Sequence, residues 1–290
     1  MVSIRLWTEG DIDYVVESVQ REGWGHTRRD VERCWLYEPD GCFIAEAGGR
    51  RVGHVFSIRY DSAGWIGLLI VDPREREKGI GRMLMQNAIS YLQKSGAETM
   101  RLEAVERAVP LYRRLGFKEE FDSLRFKRKV DQINAPKRTK EAEMLGGVRL
   151  MQKDEIETVA SFDSRYFGAN RQRVLRSLCE DNPQLCFIAE KKGNTSGYIM
   201  ARKVREAHWI GPWISEDSET AEGLFLVCVG ALGDETELRL GMPAPNNDGV
   251  TLMEKLDFEL TGKSVRMVLG ERQHAVHASG VYGIGGPEKG

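Results

Sequence analysis

One internal repeat limits what this chain can fold into. Cys42-Phe43-Ile44-Ala45-Glu46 recurs as Cys186-Phe187-Ile188-Ala189-Glu190, Gly53 as Gly197, and Trp65-Ile66-Gly67 as Trp209-Ile210-Gly211. Ile4-Arg5-Leu6 returns, conservatively changed, as Val148-Arg149-Leu150. All four matches share one gapless offset of 144 residues (Ile66 to Ile210). Chance does not produce one offset across about sixty residues, and the period is far too long for a solenoid. The chain reads as two copies of one domain, and its 290 residues suffice for two. Residues 131–144 are polar, carry Pro136 and lack apolar periodicity, so they read as a linker. The expected domains are then 1–130 and 145–290.

Within the first copy, strands interleave with helices. Residues 3–7 predict a strand. Residues 11–21 predict a helix, with Ile12, Val15, Val16 and Val19 on one face. A second helix is expected at 31–36, and a hairpin from 42–47 to 51–60 across Gly48-Gly49. A strongly apolar strand at 64–71 ends at Asp72-Pro73. A helix follows at 79–94, with Ile80, Met83, Leu84, Ala88 and Leu92 at helical spacing. Residues 99–105 predict a strand, 108–115 a short helix, and 117–127 a last strand pair or hairpin. This order indicates a layered α/β or α+β domain.

Bulk properties narrow the partners. The composition is that of a globular chain, 41% hydrophobic and 30% charged, with a net charge of -2. No global basic field points to nucleic acid or to a membrane surface. No apolar run approaches the roughly 20 residues of a membrane span, and the N-terminus has no signal-peptide apolar region. The five cysteines show no C-x-x-C spacing. A reduced, cytoplasmic setting is the expectation, and no metal site is proposed.

The stretch Val71 to Leu84, V-D-P-R-E-R-E-K-G-I-G-R-M-L, carries the strongest chemical signal. A buried strand ends, a charged turn follows, and two glycines open a helix. The first N–H groups of a helix lack internal partners and sit at the positive end of its dipole. Glycines at 79 and 81 let an anion approach that backbone, as in a diphosphate cradle. Arg74, Arg76, Lys78 and Arg82 add positive charge, partly offset by Asp72, Glu75 and Glu77. A dinucleotide turn needs a third glycine where Leu84 stands, and a P-loop needs Gly-Lys-Ser/Thr. Taken alone, the glycine pair fits a plain strand-to-helix turn equally well. Downstream, Leu111-Tyr112-Arg113-Arg114-Leu115-Gly116-Phe117 is a short helix closed by Gly116. The Tyr112 hydroxyl is either a general acid or a core group.

Val71-Asp72-Pro73, Arg76-x-x-Gly79-x-Gly81 and Leu111-Tyr112-x-x-Leu115-Gly116-Phe117, in this order, resemble the GNAT acetyltransferase superfamily over roughly residues 3–128. The full chain, with Tyr166-Phe167-Gly168-x-x-Arg171 and Gly286-Pro287, resembles tandem GNAT proteins whose second half is a divergent acetyltransferase-like domain. The resemblance implies two mixed, mostly antiparallel sheets flanked by helices. It implies acetyl-coenzyme A as acyl donor, with Arg76, Glu77, Lys78, Gly79, Ile80 and Gly81 around the diphosphate and Arg82 adding the next N–H. Leu69, Ile70 and Val71 are implied to pair with the pantetheine arm, and Tyr112 to protonate the leaving thiolate. An amine acceptor then attacks directly. One departure is Val105, where many members carry asparagine.

The second copy departs further. At the 144 offset Arg76 maps to Thr220, Gly79 to Gly223 and Gly81 to Phe225; Leu115-Gly116-Phe117 recurs as Leu256-Asp257-Phe258 at a shorter offset of 141, which puts Met253 where Tyr112 would be. This half is expected to lack a cofactor site, leaving Trp209, Trp213, Tyr166 and Phe167 as candidates to line a cleft between the halves. Possible general bases are His26, His54 and Glu103, and Gly23-Trp24-Gly25 is a candidate acceptor wall. The expected function is N-acetylation of a small-molecule amine, by a monomer with an internal pseudo-dimer or by a homodimer. The alternatives are a non-catalytic acyl-CoA sensor and a protein N-acetyltransferase.

Overall fold

A computed structural model describes residues 1–129, 147–232, 236–271 and 277–290. The linker expected at 131–144 lies outside them. The described residues form two compact units: one of residues 1–120, 265–271 and 287–290, the other of 121–129, 147–232, 236–264 and 277–286. Both are mixed, mostly antiparallel sheets flanked by helices.

The first unit runs β1 (Val2–Leu6), α1 (Ile12–Arg21), α2 (Arg28–Tyr37), β2 (Cys42–Ala47), β3 (Arg50–Tyr60), β4 (Ala63–Val71), α3 (Ile80–Lys94), β5 (Thr99–Ala104) and α4 (Val109–Arg114). Strands β1 to β4 pair antiparallel in sequence order, and β4 pairs β5 in parallel. Successive residues of β3 face opposite sides, as the strand period requires. Val55 enters the core beneath α3, whereas His54 meets Ser18 of α1. The α3 side is sealed by Ile80, Leu84, Met85, Ala88 and Leu92; Met85, not Met83, is the buried methionine. Burial of each of the four larger side chains contributes about 1.5–3 kcal/mol. Helix α2 starts at a capping box in which Thr27 Oγ1 accepts from Asp30 N and the Asp30 carboxylate accepts from Thr27 N.

The second unit holds β6 (Lys118–Lys129, from Phe121 on), β7 (Val148–Leu150), α5 (Ile156–Phe167), α6 (Gln172–Asp181), β8 (Cys186–Lys191), β9 (Asn194–Val204), β10 (Ala207–Ser215), α7 (Ser218–Gly230), β11 (Glu237–Pro243), α8 (Asn247–Lys255), the first part of β12 (Glu259–Leu269) and β13 (Val281–Gly283). It repeats the plan of the first unit, and the repeated residues have a shared task. Arg5 bridges Asp11 and Glu46 at 2.7 Å each, and Arg149 bridges Glu155 at 2.6 Å and Glu190 at 2.7 Å. In both copies this arginine ties the first two strands to the start of the first helix.

The unit boundaries differ from those expected at 130 and 145. Residues 117–127 do not make a hairpin. Instead β6 is a single strand whose Ser123 to Lys129 pair with β11 of the second unit. Reciprocally, Val265 to Leu269 of β12 pair with β5 of the first unit. Each copy thus completes its sheet with the last strand of the other copy. A chain ending at Lys129 would leave β5 as an uncovered sheet edge, a template for association. Size-exclusion chromatography and thermal melting of residues 1–129 are therefore expected to show oligomer or aggregate, with no cooperative monomer. A monomer that melts cooperatively would refute the exchange.

Candidate active site

The cleft of the first unit begins where two strands part. β4 and β5 pair only through Ala63–Thr99, Gly64–Met100 and Trp65–Arg101. Beyond Trp65 the described residues show no ladder between them. On its other edge β4 carries a bulge: Gly67 faces Phe56 and Ile70 faces His54, so Leu68 and Leu69 oppose Val55 alone. Leu68 takes φ 51°, a left-handed conformation costing about 1–3 kcal/mol for a non-glycine residue. Bulges bend a strand and re-aim its groups. Here Leu69, Ile70 and Val71 continue along β4 with their β5-side backbone open. An edge of this kind accepts an extended ligand by β-fashion pairing.

At the end of β4 the chain turns into α3. Glu77 has φ 66° and Gly79 φ 82°, so the backbone winds back on itself before Ile80. Among the described residues, the N–H groups of Lys78 to Arg82 have no acceptor, and no side chain caps Gly79. A Cβ on Gly79 would meet nothing within 4 Å, so its glycine answers to the positive φ. A Cβ on Gly81 would stand 3.5 Å from Leu111 of α4 and 3.7 Å from Val71, which packing tolerates. Fold packing therefore does not demand glycine at 81. These features form a concave set of free donors at a helix N-terminus, which suits a phosphate or diphosphate.

The cations of this loop act unequally. Arg76 donates from Nε to Val71 O at 3.0 Å and also pairs with Glu22 at the end of α1. It is a strut of the loop more than a free charge. Arg107 shares Glu22. Burial alone would raise the Glu22 pKa, but hydrogen bonds from Arg107 and Arg76 outweigh it and lower the value. Lys78 pairs with Glu75 at 2.9 Å in solvent. Arg74 and Arg82 are exposed and, among the described residues, make no ion pair, so they are the cations available to a ligand.

Tyr112 is buried on α4, edge-on to Phe117 with ring centroids 6.0 Å apart. Its hydroxyl makes no hydrogen bond to the described residues. Burial pushes its pKa up from 10, so the phenol stays protonated at neutral pH. The helix ends in a turn closed by Gly116 (φ 92°), with Phe117 N bonding Tyr112 O at 3.1 Å. Leu111 of the same helix lies against Gly81 at the start of α3, and Tyr112 packs in the core of the first unit. Val105, at the end of β5, is exposed.

The three candidate bases separate cleanly. Glu103 is buried and accepts from Arg266 Nε at 2.9 Å and Nη2 at 2.7 Å. It is committed to that pair. His54 is sealed in the sheet against Ser18 Oγ, and burial pushes its pKa down to about 3. It stays neutral and cannot reach a substrate. His26, between α1 and α2, is 12% exposed and has Nε2 3.3 Å from Glu288 Oε2. Trp24 lies beside it, ring centroids 6.2 Å apart.

Glu288 went unforeseen. It belongs to Pro287–Gly290, which packs along β4. Trp65 Nε1 donates to Pro287 O at 2.9 Å, and Tyr60 OH donates to Lys289 O at 3.0 Å. A Cβ on Gly67 would stand 2.6 Å from Glu288 O, so only glycine fits. The repeat holds the signal: Trp209 Nε1 donates to Ile284 O at 2.9 Å in the second unit, and Gly211 leaves room for that same residue. The repeated Trp-x-Gly is a clamp for a late backbone segment.

In the second unit the corresponding slot is filled. β10 pairs β11 only at Ala207 to Trp209, and β13 lies on β10 at Trp213 and Ile214. Ile284 N bonds Gly241 O of β11 at 2.8 Å. Phe225 is fully buried and stacks on Trp213 at 5.5 Å. The N-terminus of α7 is capped by Asp217, whose carboxylate accepts from Thr220 N at 2.8 Å. The aromatic candidates of this half serve inside it: Trp213 in the core, Trp209 on Ile284, Tyr166 against Phe162 at 5.3 Å, and Phe167 under the Arg171 guanidinium at 4.2 Å.

Among the described residues no cluster of three His, Cys, Asp or Glu is placed to hold a metal, and no helix is long and apolar enough to cross a membrane.

Comparison with known proteins gives two matches within the chain. Residues 10–117 match the acetyltransferase (GNAT) family and residues 159–283 an acetyltransferase (GNAT) domain. An uncharacterized N-acetyltransferase of Methanocaldococcus jannaschii is 36% identical over 98 residues, 30% of this chain and 43% of that protein. One of Bacillus subtilis is 24% identical over 179 residues, 62% of this chain and 60% of that protein. The matches thus span about half the length of these relatives. A solved structure of a putative acetyltransferase from Pyrococcus horikoshii superposes with a TM-score of 0.81 at 24% identity, covering 100% of this chain and 96% of that one.

The Gly67 contact yields a direct test. Gly67→Ala drives a Cβ into the Glu288 backbone, and overpacking of this kind costs about 1–3 kcal/mol. Urea unfolding is expected to show that loss; an unchanged midpoint would remove the clamp.

Proposed function

Because this chain belongs to the GNAT acetyltransferase family as a tandem member, we propose that its first unit transfers the acetyl group of acetyl-coenzyme A to a small-molecule amine. The single observation that carries this reading is the parted β4–β5 cleft, which opens at one end onto the free N–H groups of Lys78 to Arg82. Its dimensions follow from strand geometry: an extended pantetheine arm lies along Leu69 to Val71 while the diphosphate meets the helix start.

In this reading Arg76 to Gly81 wrap the diphosphate with backbone donors, Arg82 supplies the next N–H, and its side chain with that of Arg74 adds charge. The bulge at Leu68 turns backbone N–H groups toward the acetyl carbonyl. Donors fixed before the reaction stabilise the oxyanion of the tetrahedral intermediate without reorganisation. The amine attacks directly. Tyr112, kept protonated by burial, gives its proton to the departing sulfur. The second unit, with β13 in the slot, Phe225 for Gly81, Met253 for Tyr112 and a carboxylate at the helix start, is read as having no cofactor site.

Two substitutions separate binding from chemistry. Gly81→Phe, which copies the second unit, is expected to weaken acetyl-CoA binding at least about 100-fold in calorimetry, since it fills the cradle. Tyr112→Phe is expected to keep that affinity while kcat for thiol release falls roughly 10²–10⁴-fold. Because its pKa is raised, Tyr112 stays a competent acid as pH rises, and turnover should hold until above about pH 10. Full turnover by Tyr112→Phe removes its role. Tight acetyl-CoA binding with no thiol release across an amine panel favours a sensing module instead.

A further inference from the structure

A cleft made by parting two strands has no ladder to set its width, and the empty site must still fit its ligand. We propose that Glu22 is a positioning residue for the acyl donor: its carboxylate braces the mouth of the cleft by joining the chain that leaves β4 to the chain that leaves β5. This rests on the acetyl-transfer reading above, which makes that cleft the donor site.

The geometry of the brace follows from the sheet. β4 and β5 run parallel and pair only as far as Trp65 and Arg101, so the open end lies toward Val71 and Ala104, their last residues. Arg76 lies beyond the first of these ends and Arg107, in the turn between β5 and α4, beyond the second. Arg76 Nε is fastened to Val71 O at 3.0 Å, and its Nη2 donates to Glu22 Oε1. Arg107 Nη2 donates to Glu22 Oε2. Each carboxylate oxygen therefore serves one rim of the opening. Among the described residues Arg107 makes no other ion pair.

Glu22 is held on a fixed support. It is the C-cap of α1, and the turn after it is closed by Gly23 N on Gln20 O at 3.0 Å and Trp24 N on Val19 O at 2.9 Å, with Gly23 at φ 74°. Its side chain is only 11% exposed. A carboxylate is misplaced at the C-terminal end of a helix, where the dipole favours cations. The two guanidinium groups offset that penalty, so this acid answers to its partners and not to the helix.

A brace formed before the donor arrives leaves less ordering to be done on binding. Plain electrostatics forecasts the opposite effect: Glu22 is a negative charge near a site for an anionic diphosphate, so its removal should tighten binding. One substitution therefore separates the two accounts by sign. With the whole chain, Glu22→Gln keeps the shape, removes the charge, and is expected to weaken acetyl-CoA binding about tenfold in calorimetry. Arg107 is 65% exposed, so Arg107→Gln should fold normally while removing one leg of the brace, with a loss no larger than that of Glu22→Gln. The double variant should bind no more weakly than Glu22→Gln alone, because the groups act as a unit. In thiol release with an amine that the wild type acetylates, the Glu22→Gln effect should fall on KM for acetyl-CoA, with kcat changed less than about twofold. Melting curves of the free proteins detect a general loss of fold. Unchanged or tighter acetyl-CoA binding by Glu22→Gln would overturn the brace, as would single losses that multiply in the double variant. A wild type that binds no acetyl-CoA would overturn the donor site itself, and the brace with it.

Discussion

The parting of β4 from β5 after Trp65 is the constraint on which the first unit depends. A parallel pair that stays together offers no backbone to a ligand; one that separates leaves a row of donors and acceptors that must be met by something extended. The bulge at Leu68 bends β4, and its strained φ is held by the well-packed strands around it. Everything else sits relative to that opening. Helix α3 starts at its mouth, α4 leans on α3 through Leu111 and Gly81, and Pro287–Gly290 runs along β4 behind it.

Much of this was legible in the residues. Helix faces, the apolar β4 and the glycine pair follow from periodicity and φ preference, and the elements of the first copy fall close to where the patterns put them. Tyr112 lies on the short helix that the pattern predicts, and Gly116 closes it. The exchange of β6 and β12 was not legible. Both are amphipathic strands that fit either sheet, and pairing partners are set by register and topology, not by composition. The loop charges were read too simply: a row of basic residues looked uniform, whereas Arg76 is spent on Val71 and Glu22. Glu288 could not be found by local pattern, because its role comes from a contact far along the chain. The repeated Trp-x-Gly was visible from the start, but what it holds was not.

The two copies illustrate how one frame serves two ends. Both splay the central strand pair and both clamp a late segment with a tryptophan N–H. In the first unit the slot toward α3 stays open and the helix start is bare. In the second, β13 lies on β10, Phe225 and Trp213 stack in the core, and Asp217 supplies the negative charge that the helix start favours.

The strand exchange bears on how such a chain can change. Once each sheet borrows its last strand from the other half of the gene product, neither half can be discarded, swapped or shortened by itself. Each half of the sequence is then retained because it encodes an edge strand that the other half's sheet uses. Redundancy created by duplication becomes obligation, and both halves stay under the same stability requirement.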